Sequence, residues 1–253
     1  MCHEWKVNLR HFLRARCRYG AGVAAPRTIF SWNLAMLERS AEAPHTWGLE
    51  HTEQAVRESV VAVDADIVLF QELPAMVPFL PSHDMVRANP QSHQGHLATL
   101  FHRDRVQPAP EPTVVPGCGL LVTLPDGLTI ANVHLQAGKA AIGERLEQLA
   151  TVIEASPTPD ILVMGDTNTR LAEADALANA GLTGRLPPRP TWDGKRNRFH
   201  RDIPEFSAYF TRWFGTERVK VSNVAVWSEP HEVEGHAFNL SDHYGLSLSV
   251  ELR

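Results

Sequence analysis

Asp166 and Asn168 stand two residues apart at the end of an apolar run, in Ile161-Leu-Val-Met-Gly-Asp166-Thr-Asn168-Thr-Arg170, and this pairing suits hydrolysis. A carboxylate can orient or deprotonate a water, and an amide two residues on can hold the oxyanion that forms on attack. Other apolar runs close on the same kind of group. Asn33 ends Thr28-Ile-Phe-Ser-Trp-Asn33, Glu72 ends Ile67-Val-Leu-Phe-Gln-Glu72, His134 follows Ile130–Val133, and Ser241-Asp242-His243 precedes the last apolar stretch. Singly, Asn33 reads as well as a turn residue, His134 as a core histidine and Asp242-His243 as a turn cap. Glu72 is harder to explain away, because a carboxylate at the buried end of a strand needs a compensating partner.

These groups need elements to hold them. Strands are expected at 28–34 and 67–72, with a helix over 49–64 that places Leu49, Ala55, Val56, Val60 and Val63 at helical spacing. Residues 94–135 alternate β-prone runs with Pro and Gly, and Pro125-Asp126-Gly127 forms a hairpin turn between 120–124 and 128–134. A second helix is expected over 139–155, with Ile142, Leu146, Leu149 and Ile153 inward and Glu144, Arg145 and Glu147 outside. After the strand ending at Asp166 come a short helix at 171–180, a polar loop at 183–205, and strands at 206–213, 218–227 and 245–251. Strands outnumber helices and mostly follow one another directly, so a mixed α+β sandwich fits better than a doubly wound parallel sheet.

The chain of 253 residues is read as one domain over 27–253, preceded by a basic, poorly ordered leader at 1–26 with Lys6, Arg10, Arg14, Arg16 and Arg18 against Glu4. No apolar run reaches the roughly 18–20 residues of a membrane span and no signal-peptide block is present, so a cytoplasmic protein is expected. Cys2, Cys17 and Cys118 are too few and too scattered for a disulfide framework or a zinc cluster. The net charge of −5 argues against coating nucleic acid by bulk electrostatics. Locally, Arg185, Arg189, Lys195, Arg196, Arg198 and Arg201 surround Trp192, a pattern that suits a nucleic-acid strand or else a solvated loop with Trp192 packed on the core, while Arg170 is close enough to Asp166 in sequence to clamp a substrate phosphate.

Taken in order, Asn33, Gln71-Glu72, Asn132-Val-His134-Leu, Gly165-Asp166-Thr-Asn168 and Ser241-Asp242-His243 resemble the endonuclease/exonuclease/phosphatase superfamily of metal-dependent phosphoesterases, from about residue 28 to the end. Gly165-Asp-Thr-Asn-Thr-Arg170, Thr191-Trp192-Asp193 and Ser241-Asp-His-Tyr-Gly-Leu246 are most similar to its 5′-tyrosyl-DNA phosphodiesterases, DNA-repair enzymes. The resemblance implies an α+β fold, a four-layer α/β sandwich with two packed mixed β-sheets flanked by helices. It also implies a Mg²⁺- or Mn²⁺-dependent phosphodiesterase acting on a nucleic acid or nucleotide-like substrate; a monomer is expected. In that reading Glu72 ligates the metal and Asn33 supports metal or phosphate. Asp166 activates water, Asn168 and His243 donate to phosphoryl oxygens, His134 holds the phosphate and Asp242 fixes the geometry, with Arg170 and Trp192 contacting substrate. An oxygen-rich set without clustered cysteines agrees with Mg²⁺ or Mn²⁺.

Two departures stand out. The family's carboxylate partner for His243 is expected at Ser207, with Asp202 as a substitute, and a Glu-Ser pair after the histidine is replaced by Gln136-Ala137. A small-molecule or lipid phosphoester, or a catalytically impaired binding module, are the alternatives.

Overall fold

Two strand–helix–strand units of the same plan form the two halves of the protein. In a computed structural model, which describes residues 25–74, 80–89, 95–107, 111–200 and 205–253, the first unit is β1 (Arg27–Asn33), α1 (Leu49–Val63) and β2 (Ile67–Leu73). The second is β7 (Thr129–His134), α2 (Ile142–Glu154) and β8 (Ile161–Asp166). Each unit makes a parallel pair, β1 with β2 and β7 with β8, as a helical crossover requires. Of the expected leader at 1–26, residues 1–24 lie outside the described residues, as do Arg201 of the basic loop and Asp202.

Antiparallel neighbours extend both pairs. β3 (His83–Ala88) and β4 (His96–His102) lie beyond β2, while β5 (Thr113–Val115) and β6 (Gly119–Thr123) lie beyond β7. After α3 (Ala174–Asn179), β9 (Trp192–Asp193) and β10 (Ser207–Ala208) make a small ribbon. β11 (Thr211–Gly215) then joins β8, and β12 (Val219–Trp227) and β15 (Gly245–Leu252) join β1, with β13 (His231–Val233) and β14 (His236–Phe238) as a second ribbon. The six-stranded sheet runs β12-β15-β1-β2-β4-β3 and the five-stranded sheet β11-β8-β7-β6-β5.

Side-chain alternation stacks these sheets. Ile29, Ile67, Leu69, Ile130, Leu162, Met164 and Leu248 fill the space between them. The next residues along the same strands, such as Phe30, Val68 and Phe70, pack under α1 with Ala55, Val56 and Val60. On the other sheet Ala131, Val133 and Val163 pack under α2 with Leu149 and Val152. Strands covered on both faces read as unbroken apolar runs, which is why Ile67–Phe70 shows no polar alternation. The result is the four-layer α/β sandwich of two mixed sheets with flanking helices.

Three expected elements are redrawn. On α2 the buried face is Arg145, Leu149 and Val152, with Ile142 exposed, because a carboxylate waits beneath Arg145. The 171–180 helix splits into a 3-10 turn at Leu171–Glu173 and α3. The 206–213 strand breaks at Tyr209 and Phe210 into β10 and β11, which belong to different sheets.

Candidate active site

The carboxyl ends of the four central parallel strands meet at one end of the sandwich. In-register pairing puts His134 of β7 beside Asp166 of β8, and Asn33 of β1 beside Gln71, the residue before Glu72, on β2. Asn33 Nδ2 donates to Glu72 Oε1 at 2.8 Å and to Asp166 Oδ2 at 2.9 Å, so one amide spans the two sheets. Its orientation is fixed from behind: Asn33 Oδ1 accepts the Ala35 N–H at 3.0 Å. The turn supplying that donor is costly, since Ala35, Met36 and Leu37 all have φ between 44° and 57°, the left-handed region that non-glycine residues avoid.

Around these carboxylates stand two imidazoles. His134 Nε2 lies 3.5 Å from Glu72 Oε1 and 3.6 Å from Asp166 Oδ2, and His243 Nε2 lies 3.6 Å from Asp166 Oδ2. Burial alone would lower the His243 pKa, but the carboxylates of Asp166, Asp242 and Glu72 outweigh it and hold the imidazole above its ordinary 6.5. One carboxylate oxygen from each of Glu72 and Asp166 and a ring nitrogen of His134 fall within 4.8 Å of one another. The Asn33 amide, donating to both carboxylates, holds them together despite their repulsion, and a pair of converging carboxylate oxygens is a donor set that fits a hard divalent ion.

Local chemistry explains each placement. Gly165, at φ +146°, passes so close to β7 that a Cβ would sit 2.2 Å from the Val133 carbonyl oxygen; only glycine lets Asp166 leave the strand here. Asn168, at φ +48°, folds back so that its N–H reaches Asp166 Oδ1 at 3.2 Å and its Nδ2 reaches the Leu135 carbonyl at 3.1 Å. The Ser241-Asp242-His243 turn is stapled to β1: Ser241 Oγ donates to the Asn33 carbonyl at 2.7 Å, and Trp32 Nε1 donates to the His243 carbonyl at 2.9 Å.

The remaining expected residues lie on one flank. Arg170 sets its guanidinium 4.3 Å from the Phe210 ring centroid, and Phe210 packs 6.1 Å from His243. Trp192 is buried at 7% exposure, donates to Asp242 Oδ2 at 3.4 Å, and is covered by Phe206, whose ring centre is 4.5 Å away. The exposed aromatic is therefore Phe206, 45% exposed, which sequence reasoning hid inside an expected strand. Ser207 is far from the role expected of it. It is exposed and pairs with Asp193 on the ribbon, whereas the residue opposite Asp166 on β11 is Thr211. Thr191 ties Thr211 to the histidine turn, accepting the Thr211 N–H through Oγ1 and the Tyr244 N–H through its carbonyl. Thr211 Oγ1 and His243 Nδ1 are both buried without a hydrogen-bond partner among the described residues.

A buried ion pair missed as such anchors both site loops. Arg145 donates to Glu173 Oε1 at 2.7 Å and Oε2 at 3.2 Å, and its remaining nitrogen donates to the Gln136 and Gly138 carbonyls. Glu173 Oε1 in turn accepts the Arg170 N–H at 3.0 Å. The helix period marks Arg145 as outward; only its two loops' need for a donor would have marked it as buried.

Comparison with known proteins gives the same picture. No curated protein sequence matches the chain. A D. rerio TDP2 complexed with single strand DNA product is 21% identical, with 89% of this chain and 99% of that one covered and a TM-score of 0.66. A truncated Caenorhabditis elegans TDP2 is 18% identical over 91% of this chain and 100% of that one, at 0.69. A mannosyl-6-phosphatase of Bacteroides thetaiotaomicron is 17% identical over 88% and 99%, at 0.62. At these identities the likeness is one of fold. Residues 30–243 match the Endonuclease/Exonuclease/phosphatase family, a span that contains every strand-end group described above, and the chain belongs to that family.

Proposed function

We propose that the protein is a Mg²⁺- or Mn²⁺-dependent phosphodiesterase acting on a nucleic acid or nucleotide-like substrate, as a cytoplasmic monomer. The observation that carries this reading is the convergence of Glu72, His134 and Asp166 within 4.8 Å. A bound divalent ion there would neutralise phosphoryl oxygens and lower the pKa of a water. Glu72 is its carboxylate ligand. Asn33, with its oxygen engaged by Ala35, is a neutral spacer that keeps Glu72 and Asp166 together rather than an oxygen ligand.

Asp166 orients the attacking water and takes its proton. His243 Nε2, His134 and the Asn168 Nδ2 hydrogen that does not face the Leu135 carbonyl donate to the phosphoryl oxygens, where charge builds in the transition state. Asp242 beside His243 favours the protonated imidazole. Arg170 and the Trp192–Phe206 stack are the substrate flank, with the exposed Phe206 ring rather than Trp192 offered to a base. The D. rerio relative that holds single strand DNA product supports a nucleic-acid substrate.

Hydrolysis of bis(4-nitrophenyl) phosphate should require Mg²⁺ or Mn²⁺ and fall by at least about 100-fold in Asp166→Asn and Glu72→Ala. Near wild-type turnover in either folded variant overturns the reading. Comparing a 5′-phosphotyrosyl oligonucleotide, single-stranded DNA, mannose 6-phosphate and sphingomyelin then fixes the substrate class, with the first two expected to turn over fastest.

A further inference from the structure

Glu72 reaches the site because β2 is irregular. Pairing with β4 is regular from Ile67 with Phe101 to Phe70 with Ala98, then shifts before Leu73 meets His96, and Glu72 inside the shift has φ +49°. Bulges of this kind re-aim a side chain and leave backbone groups that the ladder does not use. Here the carbonyls of Phe70 and Ala98, one on each strand at the last regular pair, both accept from one donor: Asn132 Nδ2, at 3.1 and 3.0 Å.

Asn132 belongs to β7 in the opposite sheet and is fully buried. Its Oδ1 accepts from Gln71 Nε2 at 2.8 Å, and Gln71 Nε2 also donates to Ser31 Oγ at 3.1 Å. A polar amide in the apolar space between two sheets is tolerated because all its bonds are made. It grips both strands of the bulge and the residue next to Glu72, and it stands two residues before His134 on the same strand face. One side chain thus couples the half-site on each sheet.

We propose that Asn132 is a positioning residue whose amide, reaching across from the opposing sheet, fixes the β2 bulge that delivers Glu72 to the metal. The proposal rests on the assignment of Glu72 as metal ligand. Titrating Mn²⁺ into the full chain, with free Mn²⁺ read by electron paramagnetic resonance and folding checked by circular dichroism, tests it. Asn132→Leu should weaken Mn²⁺ binding about 10- to 100-fold in folded protein, as loss of a ligand's support does. In a Glu72→Ala background it should add nothing further.

Binding within about twofold of wild type in Asn132→Leu, or a loss that adds in full to that of Glu72→Ala, overturns the role of Asn132. Unchanged binding in Glu72→Ala overturns the metal assignment itself, so the two failures are distinguishable. Should Asn132→Leu not fold, Gln71→Met removes the bond to Asn132 Oδ1 along with those to Ser31 Oγ and the Leu69 carbonyl, and Ser31→Ala, which touches Gln71 but not Asn132, serves as its control. Mn²⁺ binding about fivefold weaker in Gln71→Met than in Ser31→Ala supports the proposal, and equal binding in the two overturns it.

Discussion

Asp166 Oδ2 accepts from Asn33 at 2.9 Å and has ring nitrogens of His134 and His243 each 3.6 Å away. An oxygen ringed by three nitrogens is held in one direction, which a water-orienting base needs. The partner side of His243 is less well supplied, since its Nδ1 and the Thr211 hydroxyl are both buried and unpaired among the described residues. Leaving a buried oxygen unsatisfied is destabilising, and replacing it by a methyl of the same shape removes that cost. Thr211→Val is therefore expected to be neutral or stabilising by up to about 1 kcal/mol in urea denaturation. A loss larger than that would mean the hydroxyl is paired. The strand-end groups Asn33, Glu72, His134, Asp166 and His243 were legible in sequence because each closes or borders an apolar run. Thr211 was not, because its place opposite Asp166 depends on a break at 209–210 that no apolar period announces.

The elements carry strain and charge on behalf of those residues. The turn after β1 holds three consecutive non-glycine residues in the left-handed region so that Ala35 can fix the Asn33 amide. Met36 is the partly exposed one, at φ +57°, and Met36→Gly should raise stability by about 1 kcal/mol in chemical denaturation without altering turnover. A loss of stability would mean that the Met36 side chain, not the backbone, dominates there. The Arg145–Glu173 pair tests the opposite kind of term. Both side chains are at most 1% exposed, so removing one partner strands a buried charge. Arg145→Met should cost about 3–5 kcal/mol, and adding Glu173→Leu should recover part of it. Recovery distinguishes a stranded carboxylate from simple loss of the loop bonds to Gln136 and Gly138. Arg145 is also where helical periodicity misleads: it sits on the face with Leu149 and Val152, and only the presence of Glu173 28 positions away makes that tolerable.

At the scale of the molecule, the sandwich follows from runs such as Ile67–Phe70 and Leu162–Met164, whose successive residues feed alternate faces into the shared core and the helix-covered layers. That much is visible in sequence; the way the two parallel pairs face each other is set by packing across the core, which no local pattern encodes. The same packing buries two weak acids, Cys118 and Tyr244. Cys118 lies under α2 and its thiol is pushed by burial from an ordinary 9.0 to about 11. Tyr244, packed in the core between the sheets, is pushed up from 10.0 to about 12, chiefly by burial and then by the Asp193 carboxylate. In both, the folded state holds the proton more tightly than the unfolded chain does. Their contributions are therefore complete below pH 9 for Cys118 and pH 10 for Tyr244, and are lost as pH rises through about 11 and about 12. Denaturation midpoints should decline steadily above pH 9, and Cys118→Ala should flatten the first part of that decline. A pH-independent midpoint between 9 and 11 in the wild type would show that the Cys118 thiol ionises as readily folded as unfolded, and that the layer beneath α2 admits water.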